Sequence, residues 1–177
     1  MRQSGGLARI PKALDPLSLR KPEVPVAGNI KKATFGKWKY SVDRAATIMA
    51  YRKEERGGAD TCDCNGCRNF RLARHRAFPT EFLVLLDELR IDPRKDGEVY
   101  RCARVAPGRH IYGGWFHFVG TLDETGDLPP VRFGPDFEVW MRRTEAPRFS
   151  SLRDKQIVEL GFGTEAVPWL LDEPEPM

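Results

Sequence analysis

The hydrophobic period of this chain changes once, near residue 97, and that change restricts the fold more than any other feature. Before it, apolar residues recur at helical spacing. In FLVLLDELRI (82–91), Phe82, Leu85, Leu86 and Leu89 fall at i, i+3, i+4 and i+7, one face of a helix, with Thr80 as the expected N-cap and Asp92-Pro93 as the end. RNFRLARHRAF (68–78) puts Phe70, Ala73 and Ala77 on one face and Arg68, Arg71 and His75 on the other. VDRAATIMAYRKEE (42–55) reads as a first helix, with Asp43 as N-cap and Gly57-Gly58 as a stop. Beyond residue 97 the pattern is that of strands. EVYRCARV (98–105), a turn in APGRH and IYGGWFHFVGTL (111–122) predict a β-hairpin. Gly113-Gly114 inside its second strand marks a bulge or a close backbone approach. FEVWMRRT (137–144), QIVELGFG (156–163) and VPWLLDE (167–173) supply further short strands. Helices first and strands later predict an α+β fold: two to three helices from the N-terminal half packed on an antiparallel sheet of about five short strands.

Proline and glycine organise the front of the chain. Pro11, Pro16, Pro22 and Pro25 recur through residues 1–30, which read as a disordered leader. The domain is expected over 31–173, with FGKWKYSVD (35–43) as a short strand anchored by Phe35, Trp38 and Tyr40 and with 174–177 as a solvated tail. No apolar run of about 18 residues is present, and MRQSGGLARIPKALDP has no apolar signal core, so the reading is a cytoplasmic chain without a membrane span. Charge is unevenly spread. Residues 1–60 hold 13 Lys/Arg against 6 Asp/Glu, whereas residues 111–177 hold 6 against 12. Such a basic front and acidic back imply either self-complementary packing or an anionic partner for the basic part.

Chemistry concentrates in TCDCNGCRNF (61–70), where three of the chain's four cysteines stand at 62, 64 and 67. In a reducing compartment, clustered thiols read as metal ligands, redox groups or packing rather than as a disulfide framework. Zinc favours thiolates and about four donors, and Asn65-Gly66 permits the bend that would wrap Cys62, Cys64 and Cys67 around one ion. Cys102, in the first strand of the hairpin, is the expected fourth ligand. His75 lies about 12 Å further along the helix if that helix starts near Cys67, and His110 and His117 are more distant candidates. Cys64 and Cys67 also form a C-x-x-C, the basis of a thiol redox alternative in which a helix N-terminus favours the Cys67 thiolate. The third reading is reduced cysteines packing a helix start.

Arg68, Arg71, Arg74 and Arg76 form a basic helix beside this turn and are candidate anion contacts. Lys31, Lys32, Lys37 and Lys39, interleaved with Phe35 and Trp38, could add a stacking surface for single strands. The competing reading is a solvated helix face and a lysine-flanked edge strand. Strand alternation puts His117 on one face with Trp115 and Val119, as a hydrogen-bonded, half-buried histidine. No nucleophile–base constellation, no paired-carboxylate motif and no phosphate loop is legible.

CDCNGCRNF, followed by FPTEFLVLLDELRIDPRK, a strand pair containing YGGWFHFVG, and VPWLL, resembles a family of small uncharacterised bacterial proteins with a CDCxxCxNF centre. The resemblance covers roughly residues 33–172. It implies one domain after residue 30 and a meaningful cysteine turn, and no activity. Where similar sequences read Leu-Gly-(Ile/Val)-Asp, this chain has Leu89-Arg90-Ile91-Asp92, which predicts a differently capped helix end. The combined expectation is a zinc-stabilised binding or accessory protein with a protein partner, more a binder than an enzyme. Nucleic-acid binding through 68–76 and 31–39 is the alternative, and thiol redox chemistry the second.

Overall fold

The computed structural model describes residues 30–123 and 128–176. The leader expected over 1–30 therefore lies outside the described residues, except for Ile30, which begins the first strand. Three helices precede most of the sheet: α1 (Arg44–Lys53), α2 (Asn65–Ala77) and α3 (Thr80–Leu89). The strands are β1 (Ile30–Phe35), β2 (Trp38–Asp43), β3 (Glu98–Ala106), β4 (Arg109–Leu122), β5 (Val131–Arg132), β6 (Phe137–Thr144) and β7 (Ile157–Pro168). This is the predicted α+β fold with a larger sheet: seven antiparallel strands in the order β1-β2-β4-β7-β6-β5, with β3 also on β4. No helix among the described residues is long and apolar enough to cross a membrane.

Several local readings hold. The Asp43 carboxylate caps α1 by accepting from the Ala46 N–H at 2.8 Å. The hairpin turns at Pro107-Gly108, with Gly108 at φ +71°. The tandem glycines of β4 mark close approach, because a Cβ at Gly113 would lie 2.6 Å from the Tyr100 hydroxyl and one at Gly114 2.8 Å from the Phe162 ring. Other readings change. FGKWKYSVD is not one strand, since Gly36 at φ +57° turns the chain between β1 and β2. Residues 156–163 and 167–173 are not two strands, because β7 runs unbroken to Pro168. At the end of α3, Arg90 itself takes the left-handed conformation, φ 62° and ψ 35°, and the Ile91 N–H reaches back to the Leu86 carbonyl at 2.9 Å. That is the glycine-type helix end, so the expected change of cap does not occur; arginine simply carries the strain.

β4 organises the molecule. It pairs with β7 from Arg109 to Val119, while its other edge is shared: β3 takes Arg109–Trp115 and β2 takes Gly120–Leu122. Two hydroxyls of α1 satisfy the uncovered stretch between them. The Tyr51 hydroxyl bonds the His117 backbone carbonyl at 2.9 Å, and the Thr47 hydroxyl accepts from the Val119 N–H at 3.0 Å. A buried strand edge thereby keeps its polar groups paired without another strand. On the inner face, Phe78 meets Phe162 edge-on at 5.2 Å and Phe82 meets Phe137 at 4.9 Å. Phe70, Phe116, Leu86 and Leu160 complete this core, fully buried.

Candidate metal centre

The site grows from the start of α2. Cys64 is the N-cap residue, and its Sγ accepts from the Cys67 N–H at 3.4 Å. Cys67, one turn into the helix, is buried, with its Sγ 3.8 Å from the Val99 carbonyl of β3. Cys62 arrives from the preceding loop, its Sγ 3.4 Å from that of Cys64. The three sulfurs all lie within 4.8 Å of one another. A tetrahedral ion with metal–sulfur bonds of about 2.3 Å sets sulfur–sulfur separations of about 3.8 Å, so the arrangement fits a thiophilic cation with small adjustments.

The loop carrying Cys62 is tied to the rest of the chain by hydrogen bonds. Arg71 donates to the carbonyls of Ala59 at 2.6 Å and Cys62 at 2.8 Å. The Ala59 N–H donates to the buried Asp96 carboxylate at 2.8 Å, and the Gly58 N–H to the Asp96 backbone carbonyl at 2.7 Å. Gly57 and Gly58 permit this contact, since a Cβ on either would strike the carbonyls of Arg94 and Gly97 at 2.7 and 2.5 Å. On the other side, the Tyr112 hydroxyl of β4 donates to the Gly66 carbonyl at 3.1 Å. The turn is thus preorganised between two loops and the sheet.

Electrostatics distinguish the thiols. The Cys67 N–H, one of the unpaired donors of the helix start, holds the Cys64 thiol below its ordinary value. Burial, followed by the two neighbouring thiols, pushes Cys67 up. Bringing a second and third thiolate beside Cys64 is unfavourable unless a cation sits among them, and a bound cation would invert that penalty.

Cys102 does not join the group. Val99 and Arg101 face α2, and the Arg101 Cβ lies 3.4 Å from where a Cβ on Gly66 would be. Cys102 is the extra residue of a β-bulge, where the β3–β4 register shifts between Arg101 and Ala103; it is exposed and lies outside the close group of sulfurs. His75 is exposed and accepts from Arg76 at 3.3 Å. His110 is buried between Arg101 and Glu175. His117 lies on the sheet, 1% exposed, and neither ring nitrogen has a hydrogen-bond partner among the described residues. This corrects the expected hydrogen-bonded, half-buried histidine; burial, reinforced by Arg142, pushes it down to about 4. Among the described residues the group of candidate ligands therefore stops at three, leaving one position of a tetrahedron for an external donor.

The basic helix is largely engaged inside the chain. Arg71 holds the cysteine loop, Arg74 contacts Asp60, Asp96 and the Arg94 carbonyl, and Arg68 pairs with Glu173 at 2.6 Å. Arg76 is exposed at the far end of α2. Trp38, expected on a stacking surface beside exposed lysines, is 2% exposed and stacks on Phe35 at 6.0 Å.

Asn69 went unnoticed in the sequence. It is fully buried, its amide donates to the Pro168 carbonyl at 3.0 Å, and its oxygen accepts from the Leu170 N–H at 2.7 Å. CRNF thus reads, in order, as a candidate ligand, a surface ion pair, a clamp on the end of β7 and a core anchor. Comparison with family models, curated proteins and solved structures found no match to this chain.

Proposed function

We propose that this is a metal-binding accessory protein, in which the thiolates of Cys62, Cys64 and Cys67 hold zinc and link the loop before α2 to the first turn of that helix. The convergence of three sulfurs within 4.8 Å carries the reading. Zinc is favoured over harder cations because every protein donor is a thiolate. When bound, the ion would neutralise the clustered thiolates and offer one open position. The chain's part is to preorganise the donors, through Arg71 on the loop and the helix N–H on Cys64. A protein partner that supplies the fourth donor would complete the site.

Elemental analysis of chain purified without a metal-binding tag, with thiols counted in parallel, tests this. The expected result is one equivalent of zinc, with Cys62, Cys64 and Cys67 protected until a chelator is added. The exposed Cys102 serves as the internal control and should react throughout. Metal-free protein that takes up no zinc on titration overturns the reading.

One observation favours a thiol redox reading as the second choice: the partly exposed Cys62 and Cys64 have sulfurs 3.4 Å apart, and Cys64 is biased toward thiolate. That chemistry would pair Cys62 with Cys64 rather than the Cys64/Cys67 pair suggested by C-x-x-C spacing. Mass mapping after mild oxidation distinguishes the two pairs, and no disulfide under those conditions removes this reading.

A further inference from the structure

The acidic C-terminus is not a solvated tail. Glu175 sits in a cradle on the β3–β4 hairpin: both carboxylate oxygens are 3.0 Å from the Gly108 N–H, one is 2.9 Å from Arg104 Nε, and the same one is 3.2 Å from His110 Nε2. Arg101 Nη1 lies 3.5 Å from the Pro176 carbonyl and 3.4 Å from His110 Nδ1. Glu173 pairs with Arg68 at 2.6 Å, and its carbonyl accepts from the Trp169 indole N–H at 2.8 Å.

Two features set this apart from incidental surface pairing. In each of these hydrogen bonds the tail is the acceptor and the body the donor, and Arg104 meets Glu175 as an ion pair. Proline suits such a tail, since Pro174 and Pro176 have no N–H to satisfy and restrict the chain to extended conformations. The cradle is also built beneath its ligand. His110 is fully buried, and an arginine N–H facing Nδ1 fixes the tautomer in which Nε2–H donates to the carboxylate.

We propose that this cradle is a recognition site for acidic, proline-punctuated peptide segments, filled in cis by the chain's own Glu173-Pro174-Glu175-Pro176. Nothing regular holds the tail in place: past Leu170 it makes no ladder with any strand, and its ion pairs are of the partly exposed, salt-screened kind that exchange readily. A partner carrying the same chemistry displaces it. The intramolecular tail competes at an effective concentration on the order of millimolar, so the intact chain masks its own site.

The test uses the full chain and a labelled peptide copying residues 171–177, read by fluorescence anisotropy. The double variant E173Q/E175Q weakens the cis tail and should bind the peptide at least about tenfold more tightly than wild type. Adding Arg104→Ala to that variant should abolish the gain, and raised salt should diminish it. An independent readout is the Gly108 amide resonance, which should shift in E173Q/E175Q and return toward its wild-type position as peptide is added. Equal affinity of wild type and E173Q/E175Q, or an affinity indifferent to Arg104, overturns the proposal. Zinc does not enter this measurement, so its result is independent of the metal assignment.

Discussion

The two ends of α2 are held by opposite chemistry. At its C-terminal end, Phe78 packs among the rings of Phe70, Phe82, Phe116, Phe137 and Phe162, all within 6.2 Å between centroids. At its N-terminal end, three thiols, the Arg71 guanidinium and the Asp96 carboxylate meet around a loop with little apolar content. Apolar burial is non-directional and carries no titrating group, so the aromatic end holds its part of the fold with little dependence on pH. The polar end is directional, and its thiols and carboxylate can titrate. Its hydrogen bonds hold the thiols near the spacing that a cation needs.

That contrast can be broken at its strongest point. Phe162→Ala removes the ring shared by Phe70, Phe78, Phe82, Phe116 and Phe137. It should cost about 3–5 kcal/mol in denaturant unfolding. A loss under about 1 kcal/mol would mean that the aromatic end does not dominate stability.

Acid probes the opposite face of the sheet, where His117 is aligned with Glu159 and, through it, Arg142. The His117 ring is buried with no hydrogen-bond partner among the described residues, and burial, then Arg142, pushes it down to about 4 from 6.5. Because its folded pKa lies below the unfolded one, the unfolded chain takes up the proton first. Stability is therefore whole above about pH 6.5 and falls as pH drops toward 4, by up to about 3 kcal/mol. His117→Phe should flatten that part of the pH profile relative to wild type. Parallel profiles for the two proteins would contradict the burial argument.

Asn69 stands where the two regions meet, and Asn69→Ala should cost about 1–3 kcal/mol by leaving the Leu170 N–H and Pro168 carbonyl unpaired. Hydrogen exchange should report the loss locally, at Leu170. Uniform exchange changes across the sheet would place the clamp's role elsewhere.

The smallest expected change in stability is at the metal turn itself. Serine is a good N-cap, so Cys64→Ser should keep the helix start and alter metal-free stability by no more than about 0.5 kcal/mol. Zinc affinity should nevertheless fall at least about tenfold, since one of three thiolate donors is gone. A large drop in metal-free melting temperature would show that the sulfur itself holds the turn together.

The sequence by itself determined what depends on near neighbours. Helical spacing in 82–91, the Asp43 cap, the Pro107-Gly108 turn and the close approach marked by Gly113-Gly114 were all legible because each signal lies within about a dozen residues of chain. The cysteine turn was legible for the same reason, since Cys62, Cys64 and Cys67 are close in space largely because they are close in sequence. Tertiary structure alone decided the rest. Arg101 and Cys102 are adjacent in sequence, yet the approach of α2 puts Arg101 beside the turn, while a β-bulge leaves Cys102 exposed and outside the sulfur group. The arginines of α2 look alike in sequence, but Arg71 and Arg74 are spent on a loop that their own spacing does not reveal. Sharing one edge of β4 between β2 and β3, clamping Leu170 by Asn69 and seating Glu175 on the hairpin each join residues dozens to about a hundred positions apart. Contacts of that range carry no period and no spacing. They arise only when burial has brought the surfaces together and each remaining donor has found its acceptor.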